Sequence, residues 1–107
     1  MKAIEIDRTM SEEELLGAVL EWARYTRWMA YHVRRSDRAI VQGDAGFPDI
    51  VLVRPPRLLF VELKAENGRL APLQVQWQDA LKRCPSIEHM VWRPSDWRTG
   101  AVEQVLA

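Results

Sequence analysis

Asp49-Ile50-Val51-Leu52-Val53, followed by Leu58-Leu59-Phe60-Val61-Glu62-Leu63-Lys64, decides the fold of this 107-residue chain. Both runs are nearly continuously apolar and rich in strand-forming residues, the pattern of buried strands. Arg54-Pro55-Pro56-Arg57 between them leaves room only for a tight connection, and its prolines offer no ladder N–H. The two runs therefore read as an antiparallel hairpin. Asp49 stands where the first strand starts, and Glu62 and Lys64 where the second ends, so all three meet at one end of the sheet. Glu62 and Lys64 share a face, while Leu63 points the other way. Two carboxylates brought together need a cation or a proton between them. Hard oxygen ligands of this kind suit Mg²⁺ or Mn²⁺. A solvated strand end, with Asp49 as a turn residue after Pro48, is the competing reading of the same spacing.

Working outward, Ser11-Glu12-Glu13-Glu14 is a capping box, in which Ser11 accepts from the Glu14 amide and Glu14 reaches back. Leu15, Leu16, Val19, Leu20, Trp22 and Ala23 then recur at helical spacing, which predicts a helix from about Glu12 to Tyr25. Residues 1–7 read as a lead-in or edge strand, Met29 to Val33 as a strand, and Arg34 to Gly46 as a polar loop. After the hairpin, Glu66-Asn67-Gly68 is a turn. Pro72 opens a second helix with Leu73, Trp77, Ala80 and Leu81 on its apolar stripe, and Pro85 stops it. Glu88 to Trp92 reads as a third core strand, and Val102 to Leu106 as a closing helix. The sum is an α/β chain forming one domain over residues 1–107, with no repeat and no linker.

Composition narrows the classes. At 48% hydrophobic and 28% charged residues the chain is of globular type rather than disordered. No apolar run approaches a membrane span, and residues 1–7 lack the apolar core of a secretory leader; the expected compartment is cytoplasmic. Cys84 is the single cysteine, which excludes an intramolecular disulfide and a multi-cysteine zinc site. No Gly-rich phosphate loop is present, which argues against a nucleotide cofactor. Net charge is zero, against bulk polyanion binding. Its distribution is uneven: residues 1–23 carry two basic against six acidic side chains, and residues 24–38 carry five basic against one acidic.

Gly46-Phe47-Pro48-Asp49, twelve residues, then Glu62-Leu63-Lys64 resembles the PD-(D/E)XK nuclease signature. More narrowly, the chain resembles the virus-type replication-repair nuclease (VRR-NUC) domain family in its small stand-alone form. Ser11-Glu12-Glu13-Glu14, Trp28, Tyr31-His32, Asn67-Gly68-Arg69-Leu70, Gln74, Trp77 and Val91-Trp92-Arg93-Pro94 carry the likeness across most of the sequence. It implies a restriction-endonuclease-like fold, a small mixed β-sheet flanked by helices. It further implies Mg²⁺- or Mn²⁺-dependent hydrolysis of DNA phosphodiesters. By the resemblance Asp49, Glu62 and the Leu63 backbone carbonyl bind the metal. Lys64 orients or deprotonates water or offsets phosphate charge. Glu14 matches the first-helix acid, and Gln74 positions Lys64 or a phosphate. Relatives of this fold that cut junctions imply a homodimer acting on branched DNA, four-way junctions first.

Glu14 has two readings, because the capping box explains it fully as a helix-start residue. Arg34, Arg35 and Arg38, in the loop entering Asp49, and Arg69, after Lys64, are candidate phosphate contacts; a solvated basic surface is the alternative. His32 reads as structural or as a water or phosphate contact, His89 as a surface residue, and Cys84 as half-buried. Two further functions stay open: a less selective flap or single-strand nuclease, and a catalytically silent nucleic-acid-binding module of the same fold.

Overall fold

A computed structural model describes residues 10–33 and 42–107. The lead-in at residues 1–7 and the candidate contacts Arg34, Arg35 and Arg38 lie outside the described residues. The elements run α1 (Glu12–Tyr25), β1 (Met29–His32), β2 (Ile50–Arg54), β3 (Arg57–Leu63), α2 (Pro72–Lys82), β4 (Glu88–Trp92), α3 (Pro94–Arg98) and α4 (Ala101–Leu106). Among the described residues the strands form one sheet in the order β1-β2-β3-β4. β1, β2 and β3 pair antiparallel, and β4 joins β3 in parallel. A parallel neighbour needs a crossover, and α2 supplies it. The sheet is thus mixed and flanked by helices, as the resemblance implied. No helix among the described residues is long and apolar enough to cross a membrane.

The hairpin register explains the core. Ile50 pairs with Val61 and Leu52 with Leu59, so these four share one face, and all are fully buried. Leu15, Val19 and Ala23 of α1 close over them, with Trp28, Leu63, Trp92, Val102 and Leu106. Each such aliphatic side chain contributes about 1.5–3 kcal/mol by leaving water. The opposite face meets α2 through Phe47, whose ring stands edge-on to both Phe60 (5.9 Å) and Trp77 (5.0 Å).

The stripe expected on α2 is corrected by the structure. Leu81 is buried and Trp77 half-buried as expected, but Leu73 and Ala80 are exposed, and the helix buries Gln74 in their stead. An amide replaces an apolar side chain there because the sheet surface beneath it carries a carboxylate. Cys84 is exposed rather than half-buried. His89 is half-buried rather than a surface residue, and its Nδ1 has no hydrogen-bond partner. Burial, and secondarily Lys82, push its pKa below the ordinary histidine value.

The far end of the hairpin is fastened to the last helix. Arg57 makes two hydrogen bonds to Glu88 (2.8 and 2.7 Å) and a third to the Val105 carbonyl (2.8 Å). Arg54 donates to the carbonyls of Thr26 (2.9 Å) and Ala107 (2.8 Å). Both guanidiniums lie over the Trp28 ring, 4.6 and 5.1 Å from its centre, and the Trp28 indole N–H donates to the Leu106 carbonyl (3.0 Å). Cations at a helix C-terminus satisfy its last carbonyls and complement its dipole.

The hydrogen bonds from Arg57 hold the Glu88 carboxyl below the usual carboxylate range, against the opposing effect of burial. A carboxylate depressed by folding stabilises the protein above its unfolded pKa, and that contribution is lost as pH falls through the folded value. The melting temperature of the wild type is therefore expected to fall more steeply below pH ~4 than that of Glu88→Gln. Parallel slopes in a pH series of thermal melts would exclude the effect.

Candidate active site

The approach to Asp49 is fixed by Gly46 and Trp77. The Trp77 indole N–H donates to the carbonyls of Asp44 (3.2 Å) and Ala45 (3.0 Å), tying that segment to α2. Gly46 has φ +98°, and a Cβ there would fall 2.5 Å from the Leu73 carbonyl oxygen. Only glycine accommodates both the left-handed backbone and the contact. Gly46→Ala is expected to cost about 1–3 kcal/mol from backbone conformation alone, with the collision in addition. A urea titration reads this directly.

Asp49 and Glu62 face each other. The pairing of Ile50 with Val61, continued by one residue, sets Asp49 opposite Glu62 on the face of the sheet that meets α2. Glu62 is only 2% exposed, and its Oε2 accepts a hydrogen bond from Gln74 Nε2 (2.8 Å). The same amide uses its oxygen to accept from the Ala71 N–H (2.8 Å). That second bond caps the start of α2 and fixes which end of the amide faces Glu62. Gln74 therefore holds the Glu62 carboxylate.

Asp49 Oδ2 accepts from the Leu63 N–H (2.8 Å). Backbone directions explain why. The Lys64 N–H donates to the Trp92 carbonyl, so residue 64 turns its polar groups toward β4. Leu63, one residue earlier, turns its own toward β2. The residue opposite Leu63 in the continued register is Pro48, which has no N–H to give. The Leu63 carbonyl thus faces the Asp49 side of the hairpin without a ladder donor from Pro48.

The cleft over this end has a volume of about 300 Å³ and is lined by Glu12, Glu13, Leu16, His32, Asp49 and Leu63. Glu14, Glu62, Lys64 and Gln74 are not among its walls. Glu14 Oε1 accepts from the Ser11 N–H (2.9 Å), while the Ser11 hydroxyl accepts from the Glu14 N–H (3.1 Å). The capping box has taken the third glutamate, and the two before it face the cleft. Glu12 Oε2 also accepts from the Ala65 N–H (3.2 Å). The signal for this lay in the Ser-Glu-Glu-Glu run itself, where the cap motif fixes the job of its last residue.

Lys64 is partly exposed, and its side chain makes no hydrogen bond or ion pair among the described residues. The turn after it is held by Arg93, which sequence reasoning left without a role. Arg93 Nη1 donates to the carbonyls of Ala65 (2.9 Å) and Gly68 (2.6 Å). Glu66 fastens the same turn to α3 by accepting from the Ser95 N–H (2.9 Å), and hydrogen bonding from Ser95 lowers its pKa. Arg69 is exposed just beyond the turn. The structure thus gathers Asp49, Glu62, Leu63, Gln74 and Lys64 at one end of the hairpin, and leaves Glu14 at its cap.

No three carboxylate, imidazole or thiol side chains converge as a ready cage among the described residues. The donors present are two carboxylates and a carbonyl, all hard oxygens. That set fits Mg²⁺, which keeps several waters and uses one or two carboxylates, and the closely similar Mn²⁺.

Comparison with known proteins identifies the family. The family model described as the VRR-NUC domain matches residues 5–92. A solved chain described as a VRR_NUC domain is similar with a TM-score of 0.57 and 18% identity, covering 91% of this chain and 96% of its own. At that identity the likeness speaks for the fold. No curated protein matches the chain.

Proposed function

The chain belongs to the VRR-NUC domain family of nucleases, and from that premise we propose that its residues 1–107 form a single Mg²⁺- or Mn²⁺-dependent DNA endonuclease domain. The observation that carries the reading is the hydrogen bond from the Leu63 N–H to Asp49 Oδ2, next to the Ile50–Val61 pair that Asp49 precedes and Glu62 follows, beside a Leu63 carbonyl to which Pro48 gives no N–H. Asp49, Glu62 and that carbonyl would hold the cation. When bound, it supplies charge stabilisation to the phosphoryl oxygens and acidifies water. Hydrolysis joins the water oxygen to phosphorus, breaks the bond to the leaving sugar oxygen, and delivers a proton to that oxygen.

The protein's own groups divide the remaining work. Gln74 keeps the Glu62 carboxylate in one orientation. Lys64, two residues on and on the same face, sets an ammonium against the charge that builds on the phosphate. Glu12 and Glu13 take the place of the first-helix acid that the resemblance gives to Glu14, since they line the cleft. Arg69 adds a phosphate contact. The substrate is branched DNA, with four-way junctions foremost, and the acting form is a homodimer, whose two-fold symmetry suits two cuts in such a junction.

The test is cleavage of a labelled four-way junction beside a matched linear duplex, in Mg²⁺, Mn²⁺ or EDTA, with Asp49→Ala as control. Paired, metal-dependent cuts in the junction that vanish in the variant are the expected result. Equal cutting of both DNAs would remove the branch preference. Cutting of neither by the folded protein would leave a binding module.

A further inference from the structure

A second hollow adjoins the cleft along the seam between α1 and β1, and the two together form a groove lined from both elements. In the cleft, Leu16 and His32 stand on its two walls. The next section, about 430 Å³, is lined by Leu20, Arg24, Trp28, Ala30 and His32. His32 borders both, so the two sections adjoin at that residue. The walls step in phase. Leu16, Leu20 and Arg24 recur every four residues on one face of α1, about 6 Å per step. Opposite them His32, Ala30 and Trp28 recur every two residues, about 6.6 Å per step for extended chain. That repeat is close to the step between successive phosphates of an extended nucleic-acid strand.

We infer that this groove seats one strand of the DNA next to the scissile phosphate, with Arg24 as a phosphate contact beyond the catalytic end. The inference rests on the nuclease reading of the cleft. Charge selects the occupant. The outer section is walled by an arginine and a histidine and by no carboxylate. Neither the Arg24 nor the His32 side chain makes a hydrogen bond or ion pair among the described residues. A guanidinium so placed suits a phosphate. Leu20 and Ala30 offer an apolar floor to sugar and base. Leu16 and Arg24, eight residues apart on one helix face, are separated by about 12 Å, so the strand passes roughly two nucleotides between the cleft and the arginine.

The test uses a labelled single-stranded oligonucleotide, read by fluorescence anisotropy in Ca²⁺, together with KM in the cleavage assay. Arg24→Glu should weaken binding and raise KM by about tenfold at low salt, and Arg24→Ala should reduce the salt slope of log K by about 0.7. Arg24→Lys should restore most of the binding. Ala30→Trp, which fills the groove from an exposed position, should weaken binding without lowering the melting temperature. Unchanged affinity, salt slope and KM in both Arg24→Glu and Ala30→Trp would overturn the groove while cleavage by the wild type kept the nuclease reading. Binding that depends on Arg24 in a wild type that never cuts would keep the groove and remove the nuclease reading. A dimer in sedimentation that Ala30→Trp disrupts, with DNA binding unaltered, would assign the groove to a second copy and overturn the proposal.

Discussion

Lys64→Met is expected to lower kcat on the order of 10²–10³-fold, the usual loss when one positioned charge or proton-transfer group is removed. Folding should be spared. The Lys64 side chain is partly exposed and makes no hydrogen bond or ion pair among the described residues, so its removal leaves no buried group without a partner. Its neighbours are held by other means: Asp49 by the Leu63 N–H, Glu62 by Gln74, and the following turn by Arg93. Mn²⁺ affinity should therefore survive, and a titration followed by calorimetry would check it. Lys64→Arg should recover little, because a planar fork does not reproduce a compact ammonium. A variant that loses metal affinity along with kcat would show that Lys64 shapes the carboxylate pair rather than the phosphate charge.

Trp28→Ala is expected to cost about 3–5 kcal/mol, the range for removing a large aromatic side chain from a core. For a domain of this size each kcal/mol lowers the melting temperature by about 4–8 °C, so the variant should lose more than ten degrees. Three losses coincide. The ring is 95% buried, its N–H serves the Leu106 carbonyl, and its face carries Arg54 and Arg57. Trp28→Phe keeps a face for the cations and drops the indole hydrogen bond, so its loss should be clearly smaller. Thermal melts of the two variants beside the wild type would separate packing from the hydrogen bond. Equal losses would assign the whole effect to the N–H.

The hairpin was legible because its β-branched and apolar runs are local, and their short connection fixes the register. That register alone brings Asp49 to Glu62. The helix over residues 12–25 was equally plain from its cap and its period. Gln74 was not, because apolar periodicity cannot reveal that a helix lies over a carboxylate and needs an amide to meet it. For Glu14 the sequence left two readings open, and the structure displays the bonds of the cap. The resemblance asked for an acid on the first helix, and the cap had already claimed the third of three glutamates. The hydrogen bonds from Arg54 and Arg57 to carbonyls at Val105 and Ala107 join residues about fifty positions apart, and no local pattern announces such a pair. The parallel entry of β4 depends likewise on a crossover that only the assembled sheet displays.

The fastening of the hairpin at Arg54 and Arg57 gives the molecule a mechanical division of labour. β2 is a beam of five residues, about 17 Å long at the usual rise. One end is clamped by cations, indole and helix carbonyls. The other carries Asp49. A clamped beam restrains both the direction and the height of its tip, so the aim of the carboxylate is set by joints that never touch a substrate. Damage at the clamp is then felt as stiffness lost throughout the hairpin, whereas damage at the tip is felt as chemistry alone.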